Sequence, residues 1–168
     1  MRLTKKFYSK TAIECAPLLL GKLICRNLNG KISKHRITET EIYFGENDSA
    51  CHASKGKTER TKIMYEAGGF AYIYLCYGMH NMLNIVTGKK DHPEAVLIRG
   101  IEDANGPGKL TKFLQIDRSL NTEDLTVSNI LWLEDDGYSP KYKTSTRIGI
   151  NYATEEDRNK LWRFIVCP

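Results

Sequence analysis

Two glutamates stand inside a β-branched and aromatic run, Ile37-Thr38-Glu39-Thr40-Glu41-Ile42-Tyr43. Carboxylates are depleted in strands, and strand side chains alternate between faces. That alternation predicts Ile37, Glu39, Glu41 and Tyr43 on one face and Thr38, Thr40 and Ile42 on the other. Two like charges at i and i+2 repel unless one is solvated or paired. Either this face is an exposed edge with a harmless charge, or one carboxylate is a general base whose pKa is raised by a partly dry setting, with Tyr43 pointing alongside.

Tyrosines gather further on: Tyr72, Tyr74 and Tyr77 fall within six residues, with Tyr43 and Tyr65 as further members. An aromatic strand ordinarily means core. Several phenol hydroxyls, each needing a partner, also suit a wet-rimmed pocket or a stacking platform, where a ring contributes ~1–3 kcal/mol per nucleic-acid base. Alternation separates Tyr74 from Tyr77, so one can face a pocket while the other projects near a hairpin tip. Arg99, inside an apolar strand, needs a carboxylate or phosphate partner; Glu41 is a candidate, and a purely structural ion pair is the other reading. Asn84 either satisfies nearby backbone groups or lines the same site. Cys51 and His52 are adjacent and point opposite ways in an extended chain, so direct activation of the thiol is not expected. His35, His52, His80 and His92 lack metal-ligand spacing, and no metal site is expected.

The elements that must position these groups can be read from punctuation and periodicity. Thr11 to Glu14 is a capping box opening a short helix that contains Pro17 and ends at Gly21. An extended segment, Lys22 to Leu28, meets Asn29-Gly30, a type I′ hairpin signal, and returns from about Ile32 to Tyr43. A polar connection from Gly45 to Gly56 follows, then a short helix from Thr58 through Glu66, closed by Gly68-Gly69. Phe70 to Tyr77 reads as a strand buried on both faces, turning at Gly78 to Asn81 into Met82 to Thr87. Ala95 to Ile101 is another apolar strand. Beyond the break at Asn105-Gly106-Pro107-Gly108, Leu110, Phe113 and Leu114 mark one face of a helix. Ile130 to Glu134 and Tyr142 to Ile150 suggest a third hairpin, Thr154 to Asp157 a helix start, and Trp162 to Val166 a closing strand. Hairpins outnumber βαβ units, which predicts an α+β fold: one domain over residues 1–168 on a curved, mostly antiparallel sheet, with flanking short helices and a protruding β-hairpin.

The 168-residue chain is long enough to bury about 70% of its unfolded surface. Its hydrophobic fraction of 41% excludes disorder. No apolar run reaches the roughly 20 residues of a membrane helix, and the apolar stretch Ala16 to Leu20 near the basic start is too short for a signal peptide. The net charge of +5 conceals a gradient, because residues 1–60 carry 12 basic and 6 acidic side chains. A basic surplus at one end fits an acidic partner such as nucleic acid, although many enzymes of neutral substrates share it. Five scattered cysteines without a CxxC pair read as reduced thiols, expected in a cytoplasmic protein, nucleoid-associated if bacterial. Without heptads, a monomer is expected.

Several stretches together resemble the alkyladenine (3-methyladenine) DNA glycosylase family. They are Glu39-Thr40-Glu41-Ile42-Tyr43, Asp48-Ser49-Ala50-Cys51-His52, Tyr72-Ile73-Tyr74-Leu75-Cys76-Tyr77-Gly78-Met79-His80, Asn84 and Ala95-Val96-Leu97-Ile98-Arg99, followed by Gly106-Pro107-Gly108-Lys109-Leu110, Arg147-Ile148-Gly149-Ile150 and Trp162-Arg163-Phe164. The similarity runs in order over nearly the whole chain. It implies a monofunctional base-excision enzyme on double-stranded DNA containing damaged purines, with no cofactor and no membrane. Glu41 falls on the general base that activates water, and Arg99 on the residue that holds that water together with the backbone carbonyl of Ile148. Tyr43 falls on one wall of the base pocket and His52 and Tyr74 on the other. Asn84 falls on the side chain that limits exocyclic groups, and Tyr77 on the residue wedged into the minor groove where the nucleotide flips out. No lysine occupies a catalytic position, so Schiff-base strand cleavage is not expected. The chain departs from the family at Thr58-Glu59-Arg60-Thr61 and Asn81-Met82, and it stops soon after Phe164. Two other readings remain: a damaged-DNA binding module that kept the pocket without turnover, and a hydrolase of free nucleosides, which would need neither Tyr77 nor the basic first third.

Overall fold

In the computed structural model, which describes residues 1–168, helices α1 (Lys5–Tyr8) and α2 (Ala12–Leu19) lead into strands β1 (Leu23–Leu28) and β2 (Lys31–Phe44). Strands β3 (Ala71–Cys76), β4 (His80–Thr87), β5 (Glu94–Ile101) and β6 (Ala104–Asn105) precede helix α3 (Pro107–Phe113). Strands β7 (Leu131–Glu134) and β8 (Tyr142–Ser145), helix α4 (Glu155–Asn159) and strand β9 (Arg163–Val166) complete the chain. Every strand pair is antiparallel, along the path β3-β4-β5-β2-β1-β7, with β9 joining β2 and β8 joining β9. The fold is α+β on a curled antiparallel sheet, as the hairpin count predicts.

Local chemistry explains the element ends. The Thr11 hydroxyl accepts from the Glu14 N–H at 3.3 Å and the Glu14 carboxylate accepts from the Thr11 N–H at 2.8 Å, the reciprocal cap expected of α2. Asn29 and Gly30 turn the first hairpin at φ 52° and 85°. Thr154 caps α4 by accepting from the Asp157 N–H.

Alternation divides the sheet into a core face and a site face. Ile73, Leu83, Ile85, Val96, Ile98 and Ile42 pack with α2 in the main core, where the Thr40 hydroxyl donates to the Ala16 carbonyl at 2.9 Å. The intervening residues Tyr72, Tyr74, Asn84, Leu97 and Arg99 line a cavity on the opposite side.

Five expectations need correction. Ile37 does not share the face of Glu39, Glu41 and Tyr43 but lies in the main core beside Ile42. The cause is a double slip in register: Ile37 pairs with Ile101 and Glu39 with Gly100, so Thr38 is extra, and then Thr40 pairs with Ile98, so Arg99 is extra. Bulges of this kind re-aim side chains, and here the slip at Thr38 sends Ile37 to the core while Arg99 stays on the cavity face with Leu97, beside the glutamates. Gly100 fits because a Cβ there would meet the Thr38 hydroxyl at 2.9 Å. The segments Ile130 to Glu134 and Tyr142 to Ile150 do not pair with each other: β7 adds to β1 and β8 to β9. Between Thr58 and Glu66 the regular element is a single 3-10 turn, Lys62–Tyr65, not a helix over the whole stretch. Thr58 does make the expected cap contact, its hydroxyl accepting from the Thr61 N–H at 3.2 Å, while the Thr61 hydroxyl donates back to the Gly56 carbonyl at 2.9 Å. Phe113 is half exposed although Leu110 and Leu114 are buried. Strand β3 is fully buried only through Ile73, since its second half runs out toward a solvent-exposed tip.

Candidate active site

The cavity encloses about 510 Å³ and is lined mostly by apolar and aromatic side chains, with a few polar groups converging on it, the usual character of a small-molecule site. The structure brings Tyr43, His52, Tyr74, Tyr77, Asn84, Arg99 and Ile148 to its lining. Glu41 lies behind them, with no exposed surface.

Strand β2 presents Glu39, Glu41 and Tyr43 on the site face while β5 and β9 pair with it from both edges, so the glutamates are buried instead of lying on an open edge. Glu41 is held from three directions. Its Oε1 accepts from the Ile148 N–H at 2.8 Å and lies 3.5 Å from Arg99 Nε. Its Oε2 accepts from the Tyr43 hydroxyl at 3.0 Å. A carboxylate offers about four lone-pair sites, so one remains uncommitted on Oε2, beside the hydroxyl of a cavity-lining ring. Burial pushes the Glu41 pKa up, and Arg99, the Ile148 N–H, the Tyr43 hydroxyl and Arg147 oppose it. Ile148 therefore reaches Glu41 directly through its amide, a contact additional to the carbonyl role that the family resemblance implies for it. The repulsion between Glu39 and Glu41 is relieved because Glu39 takes cations of its own, accepting from Arg163 Nε at 2.6 Å and Arg99 Nε at 3.3 Å. Arg99 thus bridges both carboxylates.

At the other end of the cavity, the 3-10 turn His52–Lys55 is anchored by buried Ala53 and Cys51. His52 Nδ1 lies 2.8 Å from the Tyr72 hydroxyl, and its ring meets that of Tyr74 edge-on at 4.5 Å. Burial, with Arg60 and Lys55 adding to it, holds the imidazole pKa down at about 4, so His52 is neutral in neutral solution. The Cys51 thiol is pushed up to about 12 by burial and is no nucleophile, in line with the adjacency argument. Asn84 donates to the Tyr72 and Met82 carbonyls at 3.2 and 3.4 Å, so its amide nitrogen is spent on the backbone even as it lines the cavity. Tyr77 sits at the tip of the β3–β4 hairpin, 88% exposed, with φ 52° and Gly78 following at φ 66°. A left-handed backbone is uncommon for a bulky side chain and costs roughly 1–2 kcal/mol.

Some members of the site were not singled out from sequence. Tyr72 was only one of several tyrosines, yet its hydroxyl partners His52. Arg60 lines the cavity with its guanidinium 5.1 Å from the centre of the Tyr74 ring. Arg147 and Asp48 form a buried pair next to Ile148. The signal that drew attention to Arg99, a charge inside an apolar run, was absent for these residues: Arg60 stands in Thr58-Glu59-Arg60-Thr61, Asp48 in Glu46-Asn47-Asp48-Ser49, and Arg147 follows Thr144-Ser145-Thr146.

A family model described as methylpurine-DNA glycosylase (MPG) matches residues 6–104 and 102–167. The chain is 49% identical over 173 residues to a protein of Borrelia garinii subsp. bavariensis named "Putative 3-methyladenine DNA glycosylase", covering 95% of this chain and 93% of that one. Proteins of the same name from Methanocella arvoryzae and Natranaerobius thermophilus are 43% and 40% identical, covering 96% and 99% of this chain and 90% and 96% of theirs.

Proposed function

The chain belongs to the methylpurine-DNA glycosylase family, and from that premise we propose that it removes damaged purines of the 3-methyladenine, hypoxanthine and ethenoadenine class from double-stranded DNA, using water activated by Glu41. It is a hydrolase of N-glycosyl bonds acting in DNA repair. A stacked base cannot be attacked at its sugar carbon, so the nucleotide is extruded at a cost of a few kcal/mol. Tyr77, exposed and held ahead of its hairpin, fills the vacated stack as intercalating side chains do. The extruded base enters between Tyr43 on one side and His52 and Tyr74 on the other, with Asn84 limiting the groups it can carry. Stacking and cation–π attraction favour electron-poor purines there.

The supporting observation is the buried carboxylate behind an aromatic cavity, fixed by an N–H, a hydroxyl and a guanidinium, with one lone pair to spare. As the base departs, the sugar takes on oxocarbenium character. Glu41 stabilises that charge and accepts a proton from the water that adds to the sugar carbon, while the bond electrons leave with the base. Arg99 keeps Glu41 anionic against its burial and orients the water. The protein works as a monomer of one domain, its five cysteines free in a reducing cytoplasm. The basic first third meets phosphates, so affinity falls as salt rises.

The test is incubation with duplexes holding a single 3-methyladenine, hypoxanthine or ethenoadenine, followed by scoring of abasic sites. Abasic sites confined to lesion duplexes support the reading. Tight binding without base release would point to the binding module instead, and release only from free nucleosides to the nucleosidase.

A further inference from the structure

The Arg147–Asp48 pair lies in the deepest part of the site face, with side-chain exposures of 0% and 1%. We propose that it is a positioning clamp, which holds the Ile148 N–H on the Glu41 carboxylate and so sets the proton affinity of that base; this rests on the functional reading above. Arg147 is the residue before Ile148. Its Nη1 donates to Asp48 Oδ2 at 2.7 Å and to the Ile42 carbonyl at 2.9 Å, next to Glu41 in β2. Its Nη2 donates to Asp48 Oδ1 at 3.0 Å and to the Asp157 carbonyl in α4 at 3.2 Å. The guanidinium also lies 5.1 Å from the Tyr43 ring centre and 5.0 Å from that of Trp162. Asp48 in turn accepts from the Phe44 and Ala50 N–H groups at 3.0 and 3.1 Å.

One ion pair therefore joins the strand carrying Glu41 and Tyr43, the segment leading to His52, the loop carrying Ile148 and helix α4. Further along, the loop is held by buried Ile150 against Ala50 and Ala153 and by the Tyr152 hydroxyl on the Ala50 carbonyl at 2.8 Å. Between the end of β8 at Ser145 and Gly149 at φ 75°, however, the Arg147 fork is the anchor next to Ile148. Stability alone would not require this arrangement. Buried ion pairs are often no better than apolar packing of the same shape, and the Arg147 Nε is left buried without a partner. A planar fork that satisfies four acceptors gives a fixed geometry, which a point-charge ammonium cannot reproduce.

Glu41 is faced by Tyr43 from its own strand, by Arg99 from β5, by Glu39 through their shared Arg99, by Arg163 of β9, which is bonded to Glu39, and by the Ile148 N–H and Arg147 from the loop. Of these, the last two depend on the clamp. The experiment follows the Glu41 carboxyl carbon by NMR through a pH titration of the free protein, beside single-turnover release of hypoxanthine from a duplex and the affinity for that duplex. Two variants are compared with wild type. Arg147→Lys keeps the charge and loses the fork, and the double variant Asp48→Asn with Arg147→Gln removes both charges without stranding either one.

In both variants the Glu41 midpoint is expected to rise by about half a pH unit or more. The single-turnover rate should fall on the order of tenfold to a hundredfold, with affinity for the duplex changed by less than about twofold. If Arg147→Lys does not fold, the neutral pair carries the same readings. A Glu41 midpoint that stays at the wild-type value while the melting temperature drops overturns the clamp, since that is the outcome of a purely structural pair. A wild-type protein that releases no base overturns the functional reading instead, and the titration still decides whether the clamp exists.

Discussion

The two ends of the site are built on opposite principles. At the floor, Glu41 has no exposed surface and both its oxygens are engaged by groups from three separate segments. At the tip, Tyr77 is 88% exposed and held by a backbone turn that most residues avoid. The floor is surrounded by antiparallel pairing on both edges of β2, whereas the tip is the exposed end of one hairpin, Tyr77 to Met79, standing beyond the last contact of β4 with α3. A group that must change its proton affinity needs a dry and rigid setting. A group that must enter another molecule needs to be uncommitted until it meets that molecule. The contrast implies that floor variants alter rate and titration, and tip variants alter binding.

The largest effect follows from Glu41→Gln. Loss of a positioned general base lowers the rate of base release by roughly 10²–10⁴-fold, while affinity for lesion duplex stays near wild type; an active Gln variant would remove Glu41 from the chemistry. The same variant should be more stable than wild type at neutral pH. Because burial raises the folded-state pKa of Glu41 above 4.5, the folded protein holds this proton more tightly than the unfolded chain does. The resulting destabilisation is complete above the folded pKa and disappears as pH falls below the unfolded value. Melting temperatures of the two proteins are therefore expected to separate at neutral pH and converge in acid. Parallel melting curves across the whole range would show that the carboxylate is not strained by its burial.

Next in size is Tyr77→Ala. One lost stacking contact of ~1–3 kcal/mol corresponds to roughly tenfold weaker binding of lesion duplex, and a fluorescent reporter base opposite the lesion should show less extrusion. Thermal stability should barely change, because an exposed ring at the end of a hairpin supports nothing beneath it. A drop in melting temperature as large as that from a core substitution would mean that the tip belongs to the folded body, and the contrast between the two ends would fail.

The same contrast decides what was legible in the sequence. The Asn29-Gly30 turn is a local feature, readable from two residues and their φ requirements, and the exposure of Tyr77 near a hairpin tip is readable from the same kind of signal. The tip itself is one residue earlier than expected: Tyr77 and Gly78 take the positive φ, and His80 and Asn81 already belong to β4. Glu41 stood out because a carboxylate in a strand is a local anomaly. Arg99 and Tyr43 could be matched to it from strand alternation and the need of a buried guanidinium for an anion, but the third partner could not, because the Ile148 N–H lies more than a hundred positions away and the fold alone joins them. Alternation assigned Glu39, Glu41 and Tyr43 to one face correctly but carried Ile37 with them, since a bulge at Thr38 breaks the period without a residue that announces it. Tyr142 to Ile150 has strand-forming residues, yet its pairing with β9 instead of β7 depends on which sheet edge is free, a long-range property.

The smallest effect concerns His52, which lies between the two ends: it is bonded through Nδ1 to Tyr72, yet it lines the open part of the cavity. Its pKa is lowered from 6.5 to about 4, first by burial and then by Arg60 and Lys55. For a base, a lowered folded-state pKa means that the unfolded chain takes up the proton first. Stability from this residue is complete above about 6.5 and is lost as pH falls toward 4. His52→Gln should therefore flatten the decline of melting temperature over that interval while leaving the value at pH 8 almost unchanged. In the rate profile, no limb near 6.5 should belong to His52, because a neutral imidazole does not titrate there. If such a limb exists in wild type and vanishes in His52→Gln, then the middle of the cavity is wetter than its geometry implies, and the division between a dry floor and an open tip would have to be drawn closer to Glu41.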